Sequence, residues 1–425
     1  MPIYFHNPSY FTHYGQNLYY KLTGRFSHRK YWYLTAHMLG GKNGAAVFLD
    51  LDSNSFGSFF FYKLRPLNRL VTRLENFLWL ALNGVNPLGV KVETDPRALA
   101  KEDVLITFSY DHLDSENRLP WMKDVAAAKL NHLSHYMFGT SSVSANCREN
   151  GVSHFLAENE LSSNPYFAKH FRWYGKPVYL LPYAYQERFE DRTPFAGRLN
   201  RCFAMGTFDL LPESPKTADF ISFYHGRTIH PMRKAIHERS AELAGLIDSS
   251  ISNNKEEVKF RQIKPGDSVL SKFYSAAYNV FNARQARYFK KFDSVRKLNE
   301  YRMFVVPEEV TGFPGITAIE GMACGCAFIG IDDPMYRNIG LLPGVHYVPY
   351  DNTMDGLLAA VRRCQADPEG TAKIAAAGRD FVRANFNGRR VAELFRADLL
   401  KLQASRAAGG DELPCSFLRT ERSAG

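Results

Sequence analysis

The stretch that most constrains the fold is residues 311–331, which read TGFPGITAIEGMACGCAFIGI. It opens with a loop rich in glycine and proline, and apolar residues then recur at helical spacing over Ile316–Ala323. Gly325 suits the end of that helix, because glycine enters a left-handed C-terminal cap without steric cost. An apolar run of strand length follows, and another, Met303–Val306, precedes the loop. This order predicts two parallel strands joined by a crossover helix.

The start of this helix is a predicted site for a phosphorylated ligand. Unpaired N–H groups and about half a positive charge at a helix N-terminus attract phosphate. Thr317 adds a hydroxyl to the first turn. Glu320 follows one turn later, where a carboxylate can accept hydrogen bonds from the two hydroxyls of a ribose. The alternative is that Glu320 is an ordinary solvated helix residue.

The sequence TGFPGITAIEGMACGCAFIG resembles the nucleotide-sugar site of GT-B glycosyltransferases, especially the large retaining family usually numbered four. The resemblance implies that Glu320 binds the donor ribose and that backbone amides of the loop face the diphosphate or the sugar. Pro314 has no N–H to offer. The donor-binding residues that the resemblance implies in this stretch are Gly312, Phe313, Pro314, Gly315, Ile316, Thr317 and Glu320.

One position departs from the family pattern. The family carries a first glutamate eight residues before the second, and here that position is Gly312. Glu308 and Glu309 lie just upstream, and a reshaped loop would bring either of them into the role. Glu309 is therefore a candidate catalytic residue. The donor sugar and the stereochemical course, retaining or inverting, stay open.

The composition indicates a globular protein with two domains. The chain has 425 residues, of which 45% are hydrophobic and 23% charged. No apolar run reaches the roughly 18 residues of a membrane span, and the first residues do not have the pattern of a signal peptide. The six cysteines lack zinc-site spacing and are interpreted as packing residues in a reducing compartment. We therefore expect a cytoplasmic protein.

The net charge of +10 favours an anionic partner. Nucleic acid, an anionic membrane surface and phosphorylated small molecules all fit, but no nucleic-acid-binding motif accompanies the charge, so no nucleic acid is expected. Aromatic residues make up 14% of the chain. Together with the charge they suit a peripheral enzyme at the inner face of a membrane, acting on a glycan or lipid-linked acceptor. Solvated basic faces and an aromatic core are the alternative.

The first half of the chain contains strands and helices of an α/β domain. Residues 65–83 predict a helix with a wide apolar stripe. The apolar run after Asp103 predicts a strand, and Asp111 and His112 follow it directly. Because ligands bind beyond the carboxyl ends of strands in open α/β sheets, both are candidates for acceptor binding or proton transfer. An ordinary polar loop is the alternative. Residues 123–133 predict another helix.

A polar, proline-containing segment, 190–199, predicts the boundary between two Rossmann-like domains that face a cleft. The first domain, on the acceptor side, is 1–190 and the second, which binds the nucleotide sugar, is 200–385. The resemblance implies that a final helix, 386–405, crosses back to the first domain, and 406–425 is a loose tail.

A basic segment of the second domain is the second predicted phosphate site. Residues 231–247 predict a helix, with Arg227 before it and Arg233 and Lys234 in its first turn. Family members usually present an arginine and a lysine to the donor diphosphate, so these three residues are donor-binding candidates by resemblance. Arginine suits phosphate through its bidentate fork. The alternative is a basic helix start on the surface.

The predicted reaction is metal-independent transfer of a sugar from a nucleotide diphosphate sugar to a hydroxyl group, with no cofactor, in surface polysaccharide synthesis. Asp50-Leu51-Asp52 matches the Asp-x-Asp pattern of a metal-binding pair of aspartates, but it lies far along the chain from residues 311–331. A glycerol-phosphate polymerase with a CDP-activated donor is the nearest rival. A non-catalytic GT-B-like protein that binds carbohydrate or a partner enzyme is a rival of another class, and a nucleic-acid binder is a third.

Overall fold

The computed structural model describes residues 1–10, 13–16, 30–41, 44–52, 65–108, 119–133, 140–253, 268, 270–275, 277–278 and 293–419. Their first half forms a seven-stranded sheet in which every neighbouring pair is parallel, with strand order β3-β2-β1-β4-β5-β6-β7. The strands are β1 Ile3–His6, β2 Ala46–Phe48, β3 Val92–Glu93, β4 Val104–Phe108, β5 Ala128–His132, β6 His154–Ala157 and β7 Tyr179–Leu180.

The second half forms a five-stranded parallel sheet, with strand order β10-β8-β12-β13-β14, and a small β9-β11 pair beside it. The strands are β8 Leu199–Ala204, β9 Thr207–Phe208, β10 Ile247–Ser249, β11 Ser252–Asn253, β12 Tyr301–Val305, β13 Ala327–Ile331 and β14 Val348–Tyr350. Phe304 and Phe328 pack on one face of this sheet, and Met303 and Val305 pack on the other. Burial on both faces explains why these strands read as continuous apolar runs.

Helices connect the strands, as parallel pairing requires. A short helix at 32–34 continues as one π turn over Thr35–Leu39. The others are α1 Arg65–Leu82, α2 Thr140–Glu149, α3 Pro165–His170, α4 Ala218–Tyr224, α5 Pro231–Glu238, α6 Ser294–Glu300, α7 Ile316–Ala323, α8 Pro334–Arg337, α9 Met354–Ala366, α10 Pro368–Asn385 and α11 Gly388–Ala407. Single 3-10 turns lie at 8–10, 87–89, 96–98, 120–124 and 195–197.

The strand–helix–strand unit predicted around residues 311–331 is confirmed. β12 and β13 pair in parallel, with Phe304 opposite Phe328, and α7 connects them. Gly325 follows that helix with φ +70°, the left-handed conformation expected of its cap. Gly321 allows α7 to lie close to the sheet, because an added Cβ would lie within 2.3 Å of the Phe304 ring.

The final helix crosses to the first sheet, as the resemblance implied. Asp398, fully buried on α11, accepts hydrogen bonds from the Tyr179 hydroxyl of β7 and from Ser416. Gln403 donates to the carbonyl of Pro2. The prediction of a loose tail is wrong for residues 408–419, because the Phe417 side chain is buried in the main core beside Tyr179.

Two helix predictions needed correction. The helix predicted over 123–133 is wrong, because Ala128–His132 is a strand buried between β4 and β6. Its Lys129 reaches the carbonyl of Asn150, so a polar residue fits inside a buried strand. The helix predicted over 231–247 ends at Glu238, and Ile247 already begins β10. Among the described residues, no helix has the length and apolar character needed to span a bilayer.

Candidate active site

The N-terminus of α7 has backbone N–H groups available to a ligand. Gly315 occupies the N-cap position with φ −77° and ψ 134°, and no side chain caps the helix. Ile316 and Thr317 begin the first turn and are half-buried. A helix start without a capping side chain is a favourable place for an anion, because its first N–H groups and the helix dipole both attract negative charge.

The guanidinium of Arg233 lies against this helix N-terminus. It reaches there from α5, donating from Nε to the carbonyl of Pro307 at 2.7 Å and from Nη1 to that of Thr207 at 3.0 Å. A Cβ added at Gly315 would lie 3.8 Å from Arg233 Nη2. Burial lowers the pKa of the guanidinium, and the neighbouring Glu309 and Glu308 partly offset that effect. The positive end of the α7 helix dipole and the Arg233 guanidinium therefore lie next to each other.

Glu320 lies inside the helix, one turn from its start, and is 7% exposed. Within the described part of the chain, no hydrogen bond engages its carboxylate. Burial raises the pKa of Glu320 to about 8, and the charge of Arg188 opposes that rise. Leaving a buried carboxyl without partners is costly. A ligand that supplies hydroxyl groups would remove that cost.

The loop before α7 is held by the first domain. Asn159 donates to the carbonyl of Gly312, and Asn164 donates to that of Thr311, each at 3.0 Å. Gly312 has φ +79°, and a Cβ there would lie 3.1 Å from the Asn164 amide nitrogen. Phe313 is buried in an apolar cluster that contains residues of the first domain together with Leu211, Phe220 and Ile229 of the second. Residues of both halves of the chain therefore position the loop before α7, and Gly312 meets a conformational requirement that glutamate would not.

The two glutamates upstream of the loop have different surroundings. Glu308 is buried, and its Oε1 accepts a hydrogen bond from the Tyr336 hydroxyl at 2.6 Å. Burial raises the pKa of Glu308 to about 7. The Glu309 carboxylate is 14% exposed, lies 3.4 Å from His230 Nε2 and accepts a hydrogen bond from Thr311. Glu309 is therefore the more accessible of the two to a ligand.

A buried polar cluster lies at the carboxyl edge of the first sheet. Glu158, directly after β6, accepts a hydrogen bond from Tyr183 at 2.8 Å on Oε1, and its Oε2 is buried beside Tyr31. Lys30 donates to the same Tyr183 hydroxyl at 3.2 Å. Tyr31 lies against His132 at the end of β5, with ring centroids 4.4 Å apart. Burial lowers the pKa of His132 to about 4, so its ring is neutral near pH 7.

Tyr183 of this cluster lies close to Glu309, which precedes the loop before α7. Burial raises the pKa of Tyr183 well above its usual range, and the negative charges of Glu158 and Glu309 raise it further. Tyr183 therefore lies near the carboxylates of Glu158 and Glu309. Glu158 directly precedes Asn159, whose side chain binds the carbonyl of Gly312 in the loop before α7. Sequence reasoning missed Glu158. The signal was present, because an apolar run ends directly before Glu158 and ligands bind beyond such strand ends.

The other predicted residues lie elsewhere. Arg227 donates to the carbonyl of Leu211 and its guanidinium lies 3.3 Å from Glu213, while Lys234 pairs with Glu238 on the exposed side of α5. Asp111 and His112 lie outside the described residues.

The carboxylates of the Asp50-Leu51-Asp52 sequence are both engaged by side chains. Asp50 accepts a hydrogen bond from the Trp121 indole, and Asp52 binds Arg69 through both oxygens. Throughout the part of the chain that the structure describes, no group of three or more His, Cys, Asp or Glu residues is arranged to hold a metal ion.

Comparisons with known proteins agree with this architecture. Residues 255–397 match a family described as glycosyl transferase-like. Sucrose-phosphate synthase from Thermosynechococcus elongatus has a similar fold, with a TM-score of 0.50 and 12% identity over 95% of this chain and 99% of that chain. HepE from Anabaena, in complex with UDP, gives a TM-score of 0.49 and 12% identity over 95% and 100%. A comparison with curated protein sequences found no match.

The resemblance predicted from the sequence is therefore confirmed at the level of the fold. The described residues form two parallel α/β sheets, and a C-terminal helix returns to the first of them. Residues 255–397 match the glycosyl transferase-like family, and the chain as a whole has the GT-B fold.

Proposed function

We propose that this protein transfers a sugar from a nucleotide diphosphate sugar to a hydroxyl group of a glycan or lipid-linked acceptor, in surface polysaccharide synthesis. The observation that carries the proposal is the convergence of three groups in the second domain. These are the uncapped N-terminus of α7, the Arg233 guanidinium beside it and the buried, unpartnered Glu320 carboxyl one turn further on. Together they match a diphosphate followed by a ribose.

Each group has a distinct role in the proposal. Arg233 and the amides at the start of α7 bind the diphosphate and stabilise the negative charge that grows on it as the sugar leaves. The positive charge comes from the protein itself, so transfer does not require a metal ion. Glu320 accepts hydrogen bonds from the ribose hydroxyls. Glu309, beside Arg233 and near Tyr183, contacts the sugar.

The acceptor enters from the first domain. If the reaction inverts the configuration at the anomeric carbon, it needs a general base. Asp111 and His112 are proposed for that role from the sequence. Glu158 is a further candidate, because it lies directly beyond the carboxyl end of β6, where ligands bind in open α/β sheets. Replacing Glu158 with glutamine keeps an acceptor for Tyr183 and removes the charge. Because general base catalysis contributes about 10²–10⁴-fold, we expect Glu158→Gln to lower kcat at least a hundredfold while the donor KM stays nearly constant.

Steady-state kinetics with a saturating acceptor would check this, with the exposed Glu187→Gln as the matched control. Thermal unfolding of the variant should show that it remains folded. An unchanged kcat would assign Glu158 a role in the core only.

Ligand-dependent thermal unfolding tests the donor site. A nucleotide at 100 times its dissociation constant stabilises the folded state by about 2.7 kcal/mol. UDP, GDP, CDP, ADP and dTDP would be compared with and without EDTA. We expect one of them to raise the Tm of the wild type and to raise that of Glu320→Gln much less, and EDTA to have no effect. The exposed Glu242→Gln is the matched control.

The other outcomes separate the rival functions. No response to any nucleotide would favour a carbohydrate-binding or partner-binding GT-B protein. A response to CDP alone would favour polyol-phosphate transfer. Loss of the response in EDTA would contradict metal independence. A nucleotide sugar that stabilises the protein but is neither transferred nor hydrolysed would contradict the catalytic part of the proposal.

A further inference from the structure

Gly206 separates β8 from β9 at the carboxyl edge of the second sheet, and its backbone has φ +126°. Residues with a side chain rarely adopt this conformation, whereas glycine adopts it without steric cost. The turn between the two strands is one explanation for a glycine here. The surroundings give a second explanation, because the three heavy atoms nearest to a Cβ added at this position all belong to Arg233.

A side chain at position 206 would collide with the stem and the guanidinium of Arg233. The added Cβ would lie 3.0 Å from Cδ, 3.0 Å from Nε and 3.1 Å from Cζ of that arginine. Favourable contacts between non-bonded heavy atoms lie at about 3.5–4.0 Å. The arginine side chain is therefore the first group that a Cβ at this position would displace.

Two backbone carbonyls hold the arginine in the space that Gly206 leaves open. Nε donates to the carbonyl of Pro307 at 2.7 Å, and Nη1 donates to the carbonyl of Thr207 at 3.0 Å. Among the described residues, none accepts a hydrogen bond from Nη2, and that nitrogen would lie 3.8 Å from a Cβ added at Gly315, the N-cap residue of α7. Both N–H groups of Nη2 therefore remain available to a ligand at the start of α7.

We propose that Gly206 is a positioning residue of the diphosphate site and acts through Arg233. Because it has no side chain, the guanidinium can pass the end of β8 and reach both carbonyls, which directs Nη2 to the N-terminus of α7. Holding a long side chain in one orientation before a ligand binds reduces the entropy that binding costs. The inference rests on the proposed function, in which Arg233 binds the diphosphate.

A purely conformational role of Gly206 predicts different results. Gly245 also has a positive φ, +94°, but none of the described residues comes within 4 Å of a Cβ added there. Gly245→Ala therefore introduces backbone strain without a collision and is the matched control. A double-mutant cycle separates the two roles further, because a residue that acts through Arg233 loses its effect once the guanidinium is absent.

Calorimetric titration with UDP, GDP, CDP, ADP and dTDP in the presence of EDTA tests the proposal. The nucleotide that the wild type binds should bind Gly206→Ala at least about tenfold more weakly, because a charge-assisted contact is misplaced. It should bind Gly245→Ala as it binds the wild type. In the Arg233→Ala background, adding Gly206→Ala should change the dissociation constant by less than about twofold.

A second variant covers the case in which Gly206→Ala is too unstable to titrate. Gly206→Ala/Arg233→Lys should fold and bind the nucleotide as Arg233→Lys alone does, because the unbranched lysine chain can turn away from the added Cβ. If this double variant also fails to fold, Gly206 serves the turn only and the proposal is overturned.

Two further results would overturn the proposal. One is wild-type affinity in Gly206→Ala, and the other is an equal loss of affinity with and without Arg233. If the wild type binds none of the five nucleotides, the donor site itself is contradicted and this inference falls with it. Failure of the positioning role is thus distinguishable from failure of the proposed function.

Discussion

Replacing Arg233 with alanine is expected to lower the rate of sugar transfer by roughly a thousandfold. Removal of a single group that stabilises the developing charge in a transition state costs about 10²–10³-fold, and removal of an arginine that acts on a phosphoryl group costs about 10³–10⁵-fold. Arg233 is the cation that the structure places against the N-terminus of α7. Without it, the charge on the departing diphosphate would lose the stabilisation that the guanidinium adds to that of the helix dipole.

Arg233 also has a structural role, so the experiment needs a second variant. Its hydrogen bonds to the carbonyls of Pro307 and Thr207 connect α5 to β9 and to the donor loop. Arg233→Lys keeps the charge but loses the planar fork. We expect it to fold and to retain part of the activity, with kcat reduced more than the donor KM is raised.

Kinetics of the two variants should be compared with those of Arg239→Ala, an exposed arginine that pairs with Glu242 just after α5. Denaturant unfolding would separate lost stability from lost catalysis. If Arg233→Ala is stably folded and transfers sugar at the wild-type rate, the assignment of the diphosphate site is wrong. Equally large losses in Arg227→Ala or Lys234→Ala would instead favour the other basic candidates predicted from the sequence.

The strand–helix–strand unit around residues 311–331 could be predicted because its signals are local. The apolar period of Ile316–Ala323, the cap at Gly325 and the flanking apolar runs all lie within about thirty residues. The contacts that complete the site could not be predicted. Asn159 and Asn164 lie about 150 positions from the carbonyls that they bind, and nothing in the sequence fixes how two sheets approach each other.

Periodicity also predicts a face without telling what that face contacts. The stripe of α1 was visible in the sequence, but its outward direction is decided by where Asn68 and Trp79 find their partners. Short buried segments are ambiguous in another way. Ala128–His132 has apolar and polar residues in alternation, and within a parallel sheet even its Lys129 finds a backbone acceptor. Alternation of this kind is the period of a strand, but it covers only five residues, and the helix predicted over 123–133 overrode it.

The affinity for the nucleotide sugar is expected to rise with pH until Glu320 is ionised. Burial raises the pKa of Glu320 to about 8, so at neutral pH the free protein holds this carboxyl largely protonated. Accepting hydrogen bonds from two ribose hydroxyls favours the ionised form, so binding of the donor releases a proton. Well below the pKa, the donor affinity should therefore rise about tenfold per pH unit, and it should level off above the pKa.

The stability of the free protein should change in the opposite direction. Between the ordinary pKa of a glutamate, about 4.3, and the raised value of about 8, the folded state binds more protons than the unfolded state. The free energy of unfolding therefore falls as pH rises through this window. Glu308, with its pKa raised to about 7, adds to the same slope. Glu320→Gln should remove its own share of the slope and be more stable than the wild type at alkaline pH.

Calorimetric titration with an intact nucleotide sugar across this pH range checks the expected affinity, because the diphosphate of the sugar does not change charge there. Denaturant unfolding of the free protein over the same pH range checks the expected stability. Buffers of different ionisation enthalpy would report the released proton directly. Glu320→Gln should bind the donor with an affinity nearly independent of pH, whereas Glu242→Gln, an exposed substitution of the same kind, should follow the wild type. If Glu320→Gln keeps the full pH dependence, the proton comes from another group, and the ribose must bind without the help of Glu320. In that case only packing could explain why a carboxyl is buried at position 320. A buried carboxyl without hydrogen-bond partners is costly, so packing alone gives no evident reason for a glutamate there.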